Sequence, residues 1–196
     1  MVESTKNSKL IYEEKKAIVL FLWLFNFMFY SFDIFYNYIR PRIYHLNSNF
    51  ETKDGLGVWL YILVLGMLPI AICFIKKENP YIVKFIYIIG YIGIDITDTL
   101  ITYLGTTKTY AAGNIVEVLF ILFSPMFVNK KYFLTVSVGM IGKEILIGLI
   151  LQDFNVIIPV IIYLILSVIA YVLLIRFQSY IKSLQTVFEE LRKKRS

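Results

Sequence analysis

The chain has 196 residues, of which 58% are hydrophobic and only 17% are charged, and its mean hydropathy is +0.69. A soluble domain is about 45–50% apolar and about 25% charged. Here the apolar residues form uncharged runs of roughly 20 residues, which are typical of membrane helices. This composition excludes a soluble enzyme, a nucleic-acid-binding protein and a disordered tail. The net charge of +6 indicates the basic cytoplasmic loops of a membrane protein.

Six apolar segments predict an all-α membrane protein, a bundle of six transmembrane helices in the lipid bilayer of the cell membrane. Their approximate ranges are 17–36, 57–75, 81–104, 114–128, 132–152 and 155–175. The first is too long for a cleavable signal peptide, and aromatic residues continue it as a belt at the membrane interface. The fourth is short and ends near Pro125, so we expect it to be kinked or tilted.

Lysine and arginine are distributed unevenly between the two sides of this predicted bundle. The outer loops carry only Arg40, Arg42, Lys53 and Lys108. All others, except Lys143 inside the fifth segment, fall in the termini or in and beside the loops of the opposite side. Because cytoplasmic loops carry the excess of positive charge, both termini are predicted to be cytoplasmic. The chain then divides into a cytoplasmic segment at 1–16, a membrane domain at 17–175 and a cytoplasmic helix at 176–196.

The sequence offers few residues for catalysis or metal binding. Cys73 is the only cysteine and His45 the only histidine, which excludes a disulfide framework, a cysteine metal site and a histidine-dependent triad. No phosphate-binding loop, nucleotide fingerprint, zinc-protease or serine-hydrolase motif occurs in the sequence. We therefore expect no cofactor and no catalytic residue, and a membrane enzyme ranks lowest among the functions considered.

Ionisable residues inside membrane segments are costly, so each is a candidate functional group. In the third segment, polar residues recur at helical spacing and share one face of the helix: Lys84, Tyr87, Tyr91, Asp95, Asp98 and Thr102. Asn114 and Glu117 share a face of the fourth segment, and Lys143 and Glu144 are adjacent in the fifth. Neighbours on a helix point about 100° apart, so the adjacent pair is expected to point in different directions.

Counted along their helices, these residues all lie in the outer half of the bilayer. If the helix faces that carry them converge, they would form an acidic, tyrosine-lined pocket open to the outside. The candidate ligand- or cation-binding residues are Tyr91, Asp95, Asp98, Asn114, Glu117, Lys143 and Glu144. Four carboxylates and one lysine cannot all stay ionised there without a further cation or proton. Three interpretations stay open: an ion-pair network that packs the helices, a cation or proton site, and a small-ligand site. The residues leave the binding of a metal undecided.

Beyond the sixth segment, apolar residues recur at alternating spacings of four and three, the a/d pattern of a coiled coil. The predicted dimer-seam residues are Phe177, Ile181, Leu184, Phe188 and Leu191. No Gly or Pro separates them from the last membrane segment, so the pattern continues the membrane helix. The a/d pattern predicts a homodimer formed through the C-terminal helix. The alternative is an amphipathic helix on the membrane surface, held to anionic lipid by the basic cluster at 192–195.

The order of the spans, followed directly by the helical segment 176–195, resembles the multi-span input modules of receptor histidine kinases and diguanylate cyclases of low-GC Gram-positive bacteria. The resemblance implies a sensor of a two-component system, which relays a membrane, small-ligand or cation signal through its C-terminal helix to a downstream domain or partner. The chain departs from this pattern because it has no phospho-acceptor histidine after the coil, no ATP-binding domain and no cyclase motif. We expect part of a longer receptor, most simply a histidine kinase, or a stand-alone regulator.

A small transporter component that binds a solute or a cation is the alternative function. Substrate-binding subunits of vitamin uptake systems are also six-span chains of similar size with both ends inside. Against this alternative, the chain is poor in Gly and Ala, and a transporter subunit has no need of a coiled-coil tail.

Overall fold

The computed structural model describes residues 2–35, 39–43, 55–77, 80–106, 110 and 113–195. Within these residues every regular element is helical, which confirms the all-α fold class. The α-helices are α1 (Val2–Ile34), α2 (Arg40–Ile43), α3 (Val58–Lys76), α4 (Pro80–Tyr103), α5 (Ile115–Phe123), α6 (Lys130–Leu151) and α7 (Ile157–Arg195). Short 3₁₀ helices at Ser124–Phe127 and Phe154–Val156 precede α6 and α7.

Five helical stretches in the described part of the chain are long and apolar enough to cross a membrane, by length and composition. They are Tyr12–Phe32, Val58–Lys76, Pro80–Tyr103, Lys130–Leu151 and Phe154–Leu191. In place of the predicted fourth span lies the shorter apolar helix Ile115–Phe127. It is about 20 Å long, less than the hydrocarbon core of about 30 Å. The α-helical part ends where Pro125 enters the first turn of the 3₁₀ helix, because proline cannot donate a backbone hydrogen bond.

Aromatic rings fill the contact between α1, α4 and α5. The ring centroid of Phe25 on α1 lies 5.0 Å from that of Phe120 on α5 and 5.5 Å from that of Tyr87 on α4. The Tyr91 ring on α4 is 5.2 Å from Phe120. Lipid tails are as apolar as these rings, so association of membrane helices depends on such close packing rather than on exclusion of water.

α6 lies at the centre of the bundle and packs against α4, α5 and α7. It buries Met140 and Ile147 together with the charged residues Lys143 and Glu144. The exposed side chains of the long helices are mostly large and apolar, as expected for a surface that faces lipid. The chain is therefore a multi-pass membrane protein with charged groups held inside its bundle.

The two longest helices continue through the predicted domain boundaries. α1 begins at Val2 and passes residue 16 without a break, and α7 passes residue 175 as one helix that ends at Arg195. Beyond residue 175, the predicted seam residues are exposed on α7: Phe177, Ile181, Leu184, Phe188 and Leu191. Tyr180 and Val187 are exposed beside them, so the apolar stripe is wider than the predicted seam.

Candidate functional site

A buried lysine on α6 forms ion pairs with carboxylates from three helices. Lys143 Nζ lies 2.5 Å from Asp95 Oδ2 of α4 and 2.5 Å from Glu117 Oε1 of α5. The Oε1 atom of Glu144, the next residue of α6, is 3.0 Å from the same Nζ. These four residues, Asp95, Glu117, Lys143 and Glu144, are called the Lys143 cluster below.

Lys143 and Glu144 leave the helix in different directions, as expected, yet their charged groups are in contact. Their Cα–Cβ bonds leave the helix about 100° apart. The lysine ammonium, however, sits at the end of a flexible four-carbon stem. It can therefore bend back to a carboxylate that leaves the helix in another direction, and adjacency in sequence does not separate the two charges.

The Lys143 cluster is closed by packing. The side chains of Lys143 and Glu117 are each 1% exposed, that of Glu144 is 0% exposed, and that of Asp95 is 19% exposed. The expected open acidic pocket is therefore not what the described residues form. The physical reason is that the lysine ammonium fills the space between the three carboxylates. Among the residues that the structure describes, no group of acidic, histidine or cysteine side chains is placed to hold a metal ion.

Two tyrosines outside the predicted set complete the surroundings of the cluster. Tyr110, between α4 and α5, donates a hydrogen bond from its hydroxyl to Glu144 Oε2 at 3.0 Å. Burial raises the pKa of the Tyr110 phenol, and the Glu144 carboxylate raises it further, so this phenol stays a neutral donor. Tyr163 of α7 is buried beside Glu117, and its hydroxyl accepts a hydrogen bond from the backbone N–H of Asn114 at 3.1 Å.

No sequence pattern singled out these two tyrosines. The chain contains 15 tyrosines, and many of them lie in or beside apolar segments. Tyr110 lies outside the six predicted spans, and Tyr163 lies in the last span together with Ser167 and Tyr171. Tyrosines of membrane proteins are enriched at the membrane–water interface, so neither position indicates contact with an ion pair.

Three other predicted site residues have separate roles. Tyr91 is buried one turn before Asp95 and interacts electrostatically with the acids of the cluster, and its hydroxyl has no hydrogen-bond partner among the described residues. Asp98 accepts a hydrogen bond from the backbone N–H of Leu56 at 2.7 Å and so fixes the chain just before α3. The Asn114 side chain caps α5 by accepting a hydrogen bond from its first turn at 3.0 Å. Asp98 and the Asn114 side chain are thus outside the Lys143 cluster.

A second buried lysine lies near the opposite end of α4. Lys84 Nζ is 2.5 Å from Glu14 Oε1 of α1. The same Nζ lies 4.4 Å from the ring centroid of Tyr81 and 5.0 Å from that of Phe127. The Lys84–Glu14 pair joins α1 to α4 and packs against the 3₁₀ helix after α5. The sequence placed Lys84 on the polar face of α4 but gave no sign of Glu14 as its partner.

Comparison with known protein families identifies one family that matches this chain. The model of the MASE12 family matches residues 12–175. MASE domains are membrane-associated sensor modules of signalling proteins, and the match includes all four residues of the Lys143 cluster. Comparisons with curated proteins and with solved structures found no match. Because the match extends over most of its length, the chain belongs to the MASE12 family of membrane-associated sensor domains.

Proposed function

We propose that the chain is the sensory module of a membrane signalling protein, with the Lys143 cluster as its input site and the C-terminal part of α7 as its output. The observation that carries this proposal is the contact of α7 with the cluster. Tyr163 lies beside Glu117 and binds the backbone of Asn114, and α7 continues from there without a break to Arg195. Membership of the MASE12 family supports the sensory role, and no observation favours a transporter component.

The proposal includes six crossings of the cell membrane, with both termini in the cytoplasm. Although α5 is short, Tyr110 before it and Phe127 after it lie beside opposite ends of α4. The Tyr110 ring centroid is 5.2 Å from that of Tyr103 at one end of α4, and Phe127 lies against Lys84 near the other end. Along the helix, Lys84 and Tyr103 are about 28 Å apart, close to the hydrocarbon thickness of about 30 Å. The excess of positive charge at the Lys84 end supports the cytoplasmic assignment of that side.

Reporter fusions test this topology. We expect a cytoplasmic reporter after residues 78 and 130 and an external reporter after residues 48, 108 and 153. A chain with five crossings would instead place the reporter outside after residue 130 and inside after residue 153. That pair of results would contradict the six-crossing proposal.

For the output, we propose that two copies pair through the apolar stripe of α7 as a parallel coiled coil. The predicted seam residues have a/d spacing and are exposed in the single chain. Their burial against a second copy would remove apolar surface from water where α7 extends beyond the matched domain. The signalling domain or partner that receives the output would then be rotated or displaced by the paired helices.

Disulfide cross-linking tests the pairing, in a Cys73→Ser background because Cys73 is itself exposed. Cysteine at Ile181, Leu184 or Phe188 should cross-link two copies, whereas cysteine at Lys182 or Glu189 should do so poorly. Equal cross-linking at all five positions would contradict the coiled coil and favour a helix on the membrane surface. Insertion of one residue after Phe177 should move the reactive positions, because it rotates the downstream helix by about 100°.

The link from input to output is tested by combining the two sites. Glu117→Gln should change the cross-linking yield of cysteine at Leu184, because the substitution removes an ionisable group next to α7. Glu13→Gln is the matched control, since Glu13 is an exposed acid of α1 far from the Lys143 cluster in sequence. Unchanged yields in Glu117→Gln, Glu144→Gln and Asp95→Asn alike would contradict the role of the cluster as the input site.

A further inference from the structure

We infer that the Lys143 cluster holds an exchangeable proton, shared by Glu117 and Glu144, so that the proton is the ligand of the proposed input site. Only the signalling role of this proton rests on the proposed function. Its presence follows from the charges, burial and hydrogen bonds of the cluster.

The charge balance is the first step. The groups that face the cluster are Asp95 and Tyr91 from α4, Glu117 from α5, Lys143 and Glu144 from α6, Tyr110 from the segment before α5, and Tyr163 from α7. If all carboxyl groups are ionised, three negative charges face one ammonium. An uncompensated charge in a low-dielectric interior is so unfavourable that the group takes up a proton instead. At least one of the three carboxyl groups should therefore be neutral.

The surroundings of each carboxyl group indicate where the proton resides. Asp95 is the most exposed of the three and pairs directly with Lys143, so water and the ammonium both stabilise its charge. Glu117 and Glu144 are almost fully buried. Glu117 Oε2 has no hydrogen-bond partner among the described residues, and Glu144 Oε1 has only its ion pair with Lys143. A buried carboxylate oxygen without a donor is costly, and two neighbouring carboxylates favour one shared proton.

The geometry fits a proton better than a larger ligand. Lys143 Nζ already occupies the point between Asp95, Glu117 and Glu144 where another cation would bind. A metal ion would have to displace this ammonium, whereas a proton needs no additional space. The buried, unpartnered hydroxyl of Tyr91 neighbours these acids and can accept a hydrogen bond from a protonated carboxyl group.

Loss of the proton has a direct consequence for α7. A protonated Glu117 can donate a hydrogen bond to a neighbouring phenol, whereas an ionised Glu117 can only accept one. The phenol beside it that belongs to α7 is Tyr163. A proton on Glu117 would therefore let this carboxyl group donate a hydrogen bond to the Tyr163 phenol, whereas the ionised carboxylate holds a negative charge against α7 and can only accept one.

Infrared spectroscopy of the full chain in lipid vesicles tests this inference. A protonated carboxyl group has a carbonyl-stretch band that a carboxylate lacks and that shifts in deuterated water. Exposed carboxyl groups ionise near pH 4, so a band that persists at about pH 7 reports a buried acid. We expect such a band in the wild-type chain and its loss as the pH is raised further. Glu117→Gln or Glu144→Gln should lower the band at least twofold, whereas Asp98→Asn, on α4 but outside the cluster, should leave it unchanged.

Two results would overturn the inference: no band at neutral pH in the wild-type chain, or a band that is unchanged in both Glu117→Gln and Glu144→Gln. If one glutamine variant fails to fold, the wild-type titration and the other variant still decide. A band that behaves as expected, together with cross-linking at Leu184 that does not respond to pH, supports the proton and contradicts the proposed relay.

Discussion

The two buried lysines of the bundle are equally hidden but differently balanced. The side chains of Lys84 and Lys143 are each 1% exposed. Lys84 faces a single carboxylate, Glu14, which is 33% exposed, and its other neighbours are aromatic rings. Lys143 faces three carboxylates, two of them buried. Burial of a charge therefore does not by itself mark a functional site. The Lys84 pair is neutral and joins helices, whereas the Lys143 cluster carries an excess of acid that the fold must hold.

Replacement of Lys143 is expected to have the largest effect on stability. Lys143→Met keeps a side chain of similar length but leaves the buried acids without their cation. We expect the free energy of unfolding to fall by about 3–5 kcal/mol, as when one partner is removed from a buried ion pair. Unfolding in mixed detergent micelles, followed by circular dichroism, measures this loss. The double variant Lys143→Met/Glu117→Gln should recover part of it, and a double variant less stable than the single one would contradict the excess of acid.

Replacement of Lys84 should lower the stability less than replacement of Lys143. Lys84→Met retains contacts with the rings of Tyr81 and Phe127, since a thioether also packs well against aromatic groups. Glu14, which is partly exposed, can be hydrated when its partner is lost. We expect a loss of about 1–2 kcal/mol in the same unfolding experiment. A loss as large as that of Lys143→Met would show that the two lysines are energetically equivalent.

The smallest effect is expected for a tyrosine at the edge of the Lys143 cluster. Tyr110→Phe removes the hydroxyl that donates to Glu144 and keeps the ring that packs on Tyr103. The expected loss is about 1 kcal/mol, the usual net value of one hydrogen bond. Tyr103→Phe removes the same atom from the neighbouring ring and serves as the matched control. If both variants lose the same stability, the hydrogen bond to Glu144 contributes nothing beyond ring packing.

The helices were predictable because a membrane imposes simple rules on a sequence. Each span-length helix matches an apolar run, and the short α5 with its 3₁₀ end follows from the Pro125 that already indicated a kink. The position of the Lys143 cluster could also be predicted from the sequence, since Asp95, Glu117 and Lys143 fall at similar depths in the bilayer. Depth depends only on the rise per residue, which is the same for every α-helix.

The pairing of individual side chains could not be predicted in the same way. Asp95 and Asp98 share a face of α4 by periodicity, and only the rotation and tilt of the packed helices bring the first to Lys143 and the second to Leu56. These angles depend on the fit of large side chains, such as the rings between α1, α4 and α5, which no periodic pattern contains. For the same reason the sequence could not indicate that Glu14 reaches Lys84.

Because α7 is one uninterrupted helix, a small tilt of it produces a large displacement at its end. Its 39 residues extend over about 58 Å, nearly twice the hydrocarbon thickness of the bilayer. Tyr163, where α7 meets the Lys143 cluster, lies about 48 Å from the end of the helix at Arg195. At that radius, a tilt of about 5° moves the tip by about 4 Å. A change in packing at Tyr163 that tilts α7 by so little would therefore displace the far end of the helix by about the width of a side chain.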